Sequence, residues 1–173
     1  LARSSDVRRR VLPFAYMALG PPGDLEDRER LATTLLGLAA EASDPVARFE
    51  ALHLMFSSAL QRADGTLARQ AMAEMTGLID RTGAVGRRWA LLYQAAALAH
   101  LDDRLDESEA SAEAALAVFT PVSPSRAIAA YGGQLLVLRW AQGRIAELTD
   151  LLEVMVVDQP AVPAWRAALA LAL

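Results

Sequence analysis

Apolar residues that open helical stretches return along this chain at a nearly constant interval, and that interval constrains the fold more than any other feature. Leu25, Leu67, Leu105 and Ile145 each follow a turn and start a helix-patterned run, at separations of 42, 38 and 40 residues. A period near 40 repeated over four copies marks an array of helical hairpins, because one helix pair cannot bury both its faces and must stack on the next. The boundary is clearest from Ala141 to Pro163. One helix ends at Ala141-Gln142, the chain turns at Gly143, a second helix runs to Val157, and Asp158 to Pro163 stop it before Trp165. The expected fold is all-α, with antiparallel helix pairs stacked into a right-handed arc of about four hairpins plus one terminal helix.

Within each copy the apolar residues fall at three and four spacing: Val7, Val11, Phe14 and Ala18; Leu31, Leu35 and Leu38; Leu52, Met55, Phe56 and Ala59; Met72, Met75, Leu78 and Ile79. Breakers separate these runs, among them Gly20-Pro21-Pro22-Gly23, Ser43-Asp44-Pro45, Asp64-Gly65-Thr66, Thr82-Gly83, Asp102-Asp103-Arg104, Thr120 to Pro124 and Gln142-Gly143. The pattern predicts nine helices, at 6–19, 25–42, 45–62, 66–82, 85–101, 105–119, 124–142, 145–158 and 163–173, and no strand. Pro13 is the misfit, since an interior proline costs about 3 kcal/mol, and the first helix is expected to kink or begin there. The whole chain reads as one helical-repeat domain, with repeats near 5–43, 44–83, 84–122 and 123–160 and the start of a fifth at 161–173. Opening on Leu1 and closing inside the apolar run Ala167 to Leu173, it is read as a piece of a longer polypeptide.

Composition narrows the function classes. Hydrophobic residues make up 54% of the chain but aromatic ones only 6%, so Ala and Leu carry the apolar content and favour helix. The absence of Cys removes disulfides and thiolate metal sites, and the N-terminus does not resemble a signal peptide. The longest apolar run, Trp89 to Leu101, is interrupted by Gln94 and His100 and falls short of the roughly 18 to 20 residues of a membrane helix. A soluble, cytoplasmic protein is expected. A net charge of −4 argues against nucleic acid as direct partner, and Arg8-Arg9-Arg10 reads as a solvated helix face. Every basic residue is Arg and none is Lys, which with the abundant Ala suggests a GC-rich bacterial source.

Two turns carry a family resemblance. Leu101-Asp102-Asp103-Arg104-Leu105-Asp106-Glu107-Ser108 and Ala141-Gln142-Gly143-Arg144-Ile145-Ala146-Glu147-Leu148 resemble the turn and second-helix start of tetratricopeptide repeats. Ala115-Leu116 with Pro121, and Met155 with Pro160, fall near that family's packing and stop positions, and Trp89 and Trp165 near its first-helix tryptophan. The period exceeds the family's usual length, and Met155 stands where a small residue is usual. The tail from Gln134 to Ala170 is similar to the helical-repeat arm of large actinobacterial signal-transduction ATPases, including LuxR-type and MalT-like transcriptional regulators and cyclase-linked relatives. The resemblance implies a tetratricopeptide-like superhelix serving as a non-catalytic interaction or effector-sensing arm. The chain has no phosphate-cradling Gly-x-x-x-x-Gly-Lys-Ser/Thr motif and no evident DNA-reading helix-turn-helix.

Chemistry-bearing residues are few. His53 and His100 are the only histidines and lack Cys partners, so ordinary groove or surface positions outweigh a metal site. No nucleophile-elbow Gly-x-Ser-x-Gly occurs, and no catalytic, cofactor or metal site is expected. The acidic group Asp102, Asp103, Asp106, Glu107, Glu109 and Glu113 complements the positive end of a helix dipole. Gly132-Gly133 inside a helix implies a close neighbour, a packed helix before a ligand. Counted back from the second-helix starts, Arg62, His100 and Trp140 form one row and Met55, Tyr93 and Gly133 another. On a concave face these rows would offer cation, imidazole, indole and phenol to a protein segment, another domain of the same chain or a small inducer. Packing between repeats explains the same rows equally well. The alternative function is an oligomerisation module, such as a homodimer, that stacks through the open C-terminal face around Trp165, Leu169, Leu171 and Leu173.

Overall fold

The computed structural model describes residues 2–20, 23–82 and 84–173. Pro21, Pro22 and Gly83 of the expected breakers lie outside the described residues. The described residues form α1 (Ala2–Ala18), α2 (Leu25–Glu41), α3 (Pro45–Gln61), α4 (Gly65–Thr82), α5 (Val85–Leu101), α6 (Leu105–Phe119), α7 (Pro124–Ala141), a 3₁₀ turn (Ile145–Leu148), α8 (Thr149–Asp158) and α9 (Pro163–Ala172), with no strand among them. The chain divides into two compact units, Leu1–Gln94 and Ala95–Leu173. Helices adjacent in sequence pack on one another within each: α1 on α2, α2 on α3 and α3 on α4 in the first, α6 on α7 and α8 on α9 in the second.

Four turns of one design join these helices. Ser43, Ala63, Asp103 and Gly143 all adopt left-handed backbone, with φ of 50°, 57°, 58° and 67°. In each, the left-handed residue's N–H donates to the carbonyl three residues back and the next N–H to the carbonyl five back, as in Asp103 to His100 and Arg104 to Ala99, or Gly143 to Trp140 and Arg144 to Arg139. This Schellman arrangement satisfies the carbonyls that a helix end leaves bare. Where Asp follows the turn it also caps the next helix. Asp44 Oδ1 accepts from the Val46 and Ala47 amides at 3.0 Å, and Asp64 Oδ1 accepts from Leu67 at 2.9 Å.

At the other two turns the capping position is Arg104 or Arg144, whose guanidinium pairs forward with Glu107 or Glu147. After Gly143 the first turn is 3₁₀ and not the α-helix expected from 145, with Thr149 Oγ1 donating to the Ala146 carbonyl at 2.8 Å. Pro13 does not start a helix. α1 runs through it from Ala2, four residues before the expected start.

The structure also corrects the repeat register. Second helices start at Leu25, Gly65, Leu105 and Ile145, a uniform 40 residues apart, and not at Leu67. Gly65-Thr66 bring no apolar side chain to the first turn of α4, so the first apolar residue arrives two positions late. The interior confirms the spacing: the fourth residue of each second helix, Arg28, Ala68, Ser108 or Leu148, is buried.

In the first unit Tyr16, Ala32, Leu35, Ala39, Ala47, Ala51 and Leu54 form the core, flanked by Leu12, Leu31, Leu36 and Met55. Alanines at the contacts let helix axes approach closely. Arg28 is buried beside this core with its guanidinium 4.2 Å above the Tyr16 ring and one nitrogen donating to Gln61 at 2.9 Å. In the second unit Leu148, Leu152, Ala168 and Ala172 form a cluster with Trp165 and Leu169 against it. There the Ser108 hydroxyl donates to the Ala96 carbonyl at 2.9 Å, and Arg139 grips Glu109 with both terminal nitrogens.

Three of the four apolar stripes named from the sequence turn toward these interiors, those led by Leu31, Leu52 and Met72. The stripe of α1 does not. Val7, Val11, Phe14 and Ala18 all face outward, because Leu12 and Tyr16 on the opposite side fill the interior.

Candidate binding surfaces

The corrected register rearranges the two proposed rows. His100 and Trp140 occupy matching positions, but their counterpart in the earlier repeat is Leu60. Arg62 instead matches Asp102 and Gln142 inside the turn. It closes α3 as the C-cap residue, exposed and gripping Glu29 with two nitrogens. That pairing holds the Glu29 carboxyl below the usual carboxylate range. Tyr93 and Gly133 likewise match His53, whereas Met55 packs against the first unit's core.

On α7 of the second unit, Ala129, Gly133, Val137 and Trp140 follow one another at four, four and three spacing on a single exposed face. Trp140 is 64% exposed. A Cβ on Gly133 would meet no atom within 4 Å, while one on Gly132 would sit 3.9 Å from Cη2 of Trp165. The two glycines therefore differ: Gly132 accommodates α9, and Gly133 opens to solvent. An exposed apolar stripe carrying a tryptophan is the surface type that anchors partners. The C-terminal set also divides. Trp165 and Leu169 turn inward, with Trp165 Nε1 donating to Gln159 Oε1 at 3.3 Å, while Leu171 and Leu173 stay exposed.

In the first unit half-buried His53 and buried Gln94 make a polar pair. Gln94 Nε2 donates to His53 Nδ1 at 2.7 Å, so Nδ1 accepts and the neutral ring carries its proton on Nε2. Burial pushes the His53 pKa down, outweighing the Glu50 carboxylate, which favours the cation. Gln94 Oε1 is buried with no hydrogen-bond partner in the chain. The signal was present in the sequence, since Gln94 interrupts an apolar run. One turn back, Trp89 and Tyr93 lie with ring centroids 5.5 Å apart.

A groove of about 520 Å³ between α1 and the start of α3 was not expected from the sequence; Pro13, Phe14 and Met17 supply its apolar wall, and Arg9 bridges Asp6 and Asp44 along its floor. Phe14 is 76% exposed at its rim. Among the described residues no group of three or more His, Asp or Glu is placed to hold a metal ion. Among the same residues no helix is long and apolar enough to cross a membrane.

No protein-family model, curated protein or solved structure matches the chain. Among the described residues the structure is all-helical, with neighbouring helices packed in pairs, four of the connections made by turns of one design, and apolar side chains displayed on outward helix faces.

Proposed function

We propose that this chain is a non-catalytic interaction and sensing arm, a tetratricopeptide-like superhelix serving a multidomain bacterial regulator of the ATPase type. The observation that carries the reading is the uniform 40-residue recurrence of left-handed turn residues at Ala63, Asp103 and Gly143, which supports a repeat scaffold. The exposed α7 stripe ending in Trp140 supplies the recognition surface, and His100 occupies the same repeat position one copy earlier. An occupant that contacts neighbouring repeats would bias their stacking, and with it the state of any attached catalytic module.

The test is inducer-dependent transcription by the host regulator carrying Trp140→Ala with Gly133→Leu, two exposed changes that leave the interior untouched. Lost induction with unchanged helical circular dichroism supports the arm. Unchanged induction removes it.

A further inference from the structure

Two helices of this chain display apolar faces whose charged borders are opposite in sign. On α1, Val7, Val11 and Phe14 form an exposed stripe with Arg8 on one side and Arg10 on the other, and the one carboxylate of that helix, Asp6, is paired with Arg9. On α8, Leu151, Val154 and Val157 form an exposed stripe among Asp150, Glu153 and Asp158, and that helix carries no basic residue. Among the described residues none of Arg8, Arg10, Asp150, Glu153 and Asp158 takes part in an ion pair within the chain.

We propose that α1 of one copy docks on α8 of a second copy. The apolar stripes supply the contact, and the charges select the pairing. α1 against α1 would set arginines against arginines, and α8 against α8 would set carboxylates against carboxylates, so only the unlike pair gains on both counts. Because the two faces differ, a copy that has lost one face can still pair through the other with a copy that has lost the opposite one. It does not depend on what the arm senses.

Sedimentation velocity on the wild-type chain and on Phe14→Glu and Val157→Arg variants tests this. Both residues are more than two-thirds exposed, at 76% and 77%, so the fold tolerates the changes. The wild type should exceed its one-chain mass of 18.6 kDa as concentration rises. Each variant alone should stay monomeric, since each has lost one face. An equimolar mixture of the two should give a two-chain complex and nothing larger, because one intact α1 then meets one intact α8. A wild type that stays monomeric to millimolar concentration, a single variant that still dimerises, or a mixture that stays monomeric would each overturn the proposal.

Discussion

The Tyr16 hydroxyl lies 2.9 Å from the Ser58 hydroxyl and donates to the Leu54 carbonyl at 2.9 Å, so the interior end of α1 is tied to α3 across 42 residues of sequence. Tyr16 is 1% exposed. That anchor fixes the rotation of α1 and sends Phe14 outward. Tyr16→Phe keeps the ring under Arg28 but removes the bond to the Leu54 carbonyl and the Ser58 hydroxyl's partner on α1, which should cost about 1 to 3 kcal/mol in urea unfolding. With Ser58→Ala added, the double variant should lose less than the sum of the singles, because the two hydroxyls share one contact.

The four left-handed turn positions are filled by Ser43, Ala63, Asp103 and Gly143, and only the last adopts that backbone with no Cβ to strain it. A side chain at positive φ costs roughly 1 kcal/mol or more relative to Gly. Ala63→Gly should therefore raise the unfolding free energy by about 0.5 to 1 kcal/mol, once the extra freedom of unfolded Gly is deducted. Gly143→Ala should lower it by a similar amount. No atom lies within 4 Å of the added Cβ, so backbone strain alone is measured.

His53 should make stability depend on pH. Burial holds its folded pKa below the value of about 6.5 in the unfolded chain. The unfolded chain therefore binds more protons in that window, and stability present above about pH 6.5 is lost as pH falls through the folded pKa. His53→Asn offers Gln94 an acceptor in place of Nδ1 but does not titrate. Chemical denaturation between about pH 7.5 and 5.5 should show a shallower loss for the variant than for the parent.

Helix positions were legible in the sequence because the turns are short and chemically loud: Ser43-Asp44-Pro45 and Gln142-Gly143 announce themselves. Register was less legible, since Gly65 starts α4 without an apolar residue to mark it, and so Arg62 was aligned with His100. Rotation of a helix was least legible. α1 carries apolar residues on opposite sides, and periodicity alone does not say whether Tyr16 or Phe14 goes inside. The decision falls to partners far along the chain, Leu54 and Ser58. The groove beside Pro13 was hidden for the same reason, because it forms only once α1 and the start of α3 lie side by side.

The outward face of α1 can be measured directly, because the chain has no cysteine of its own. Phe14→Cys and Leu12→Cys, each at dilute concentration under native conditions, are timed against a thiol reagent and compared with the same variants in denaturant. Native Phe14→Cys should react nearly as fast as its unfolded form, and Leu12→Cys far more slowly than its own. A protected thiol at 14 with a reactive one at 12 would place α1 the other way round and contradict the account.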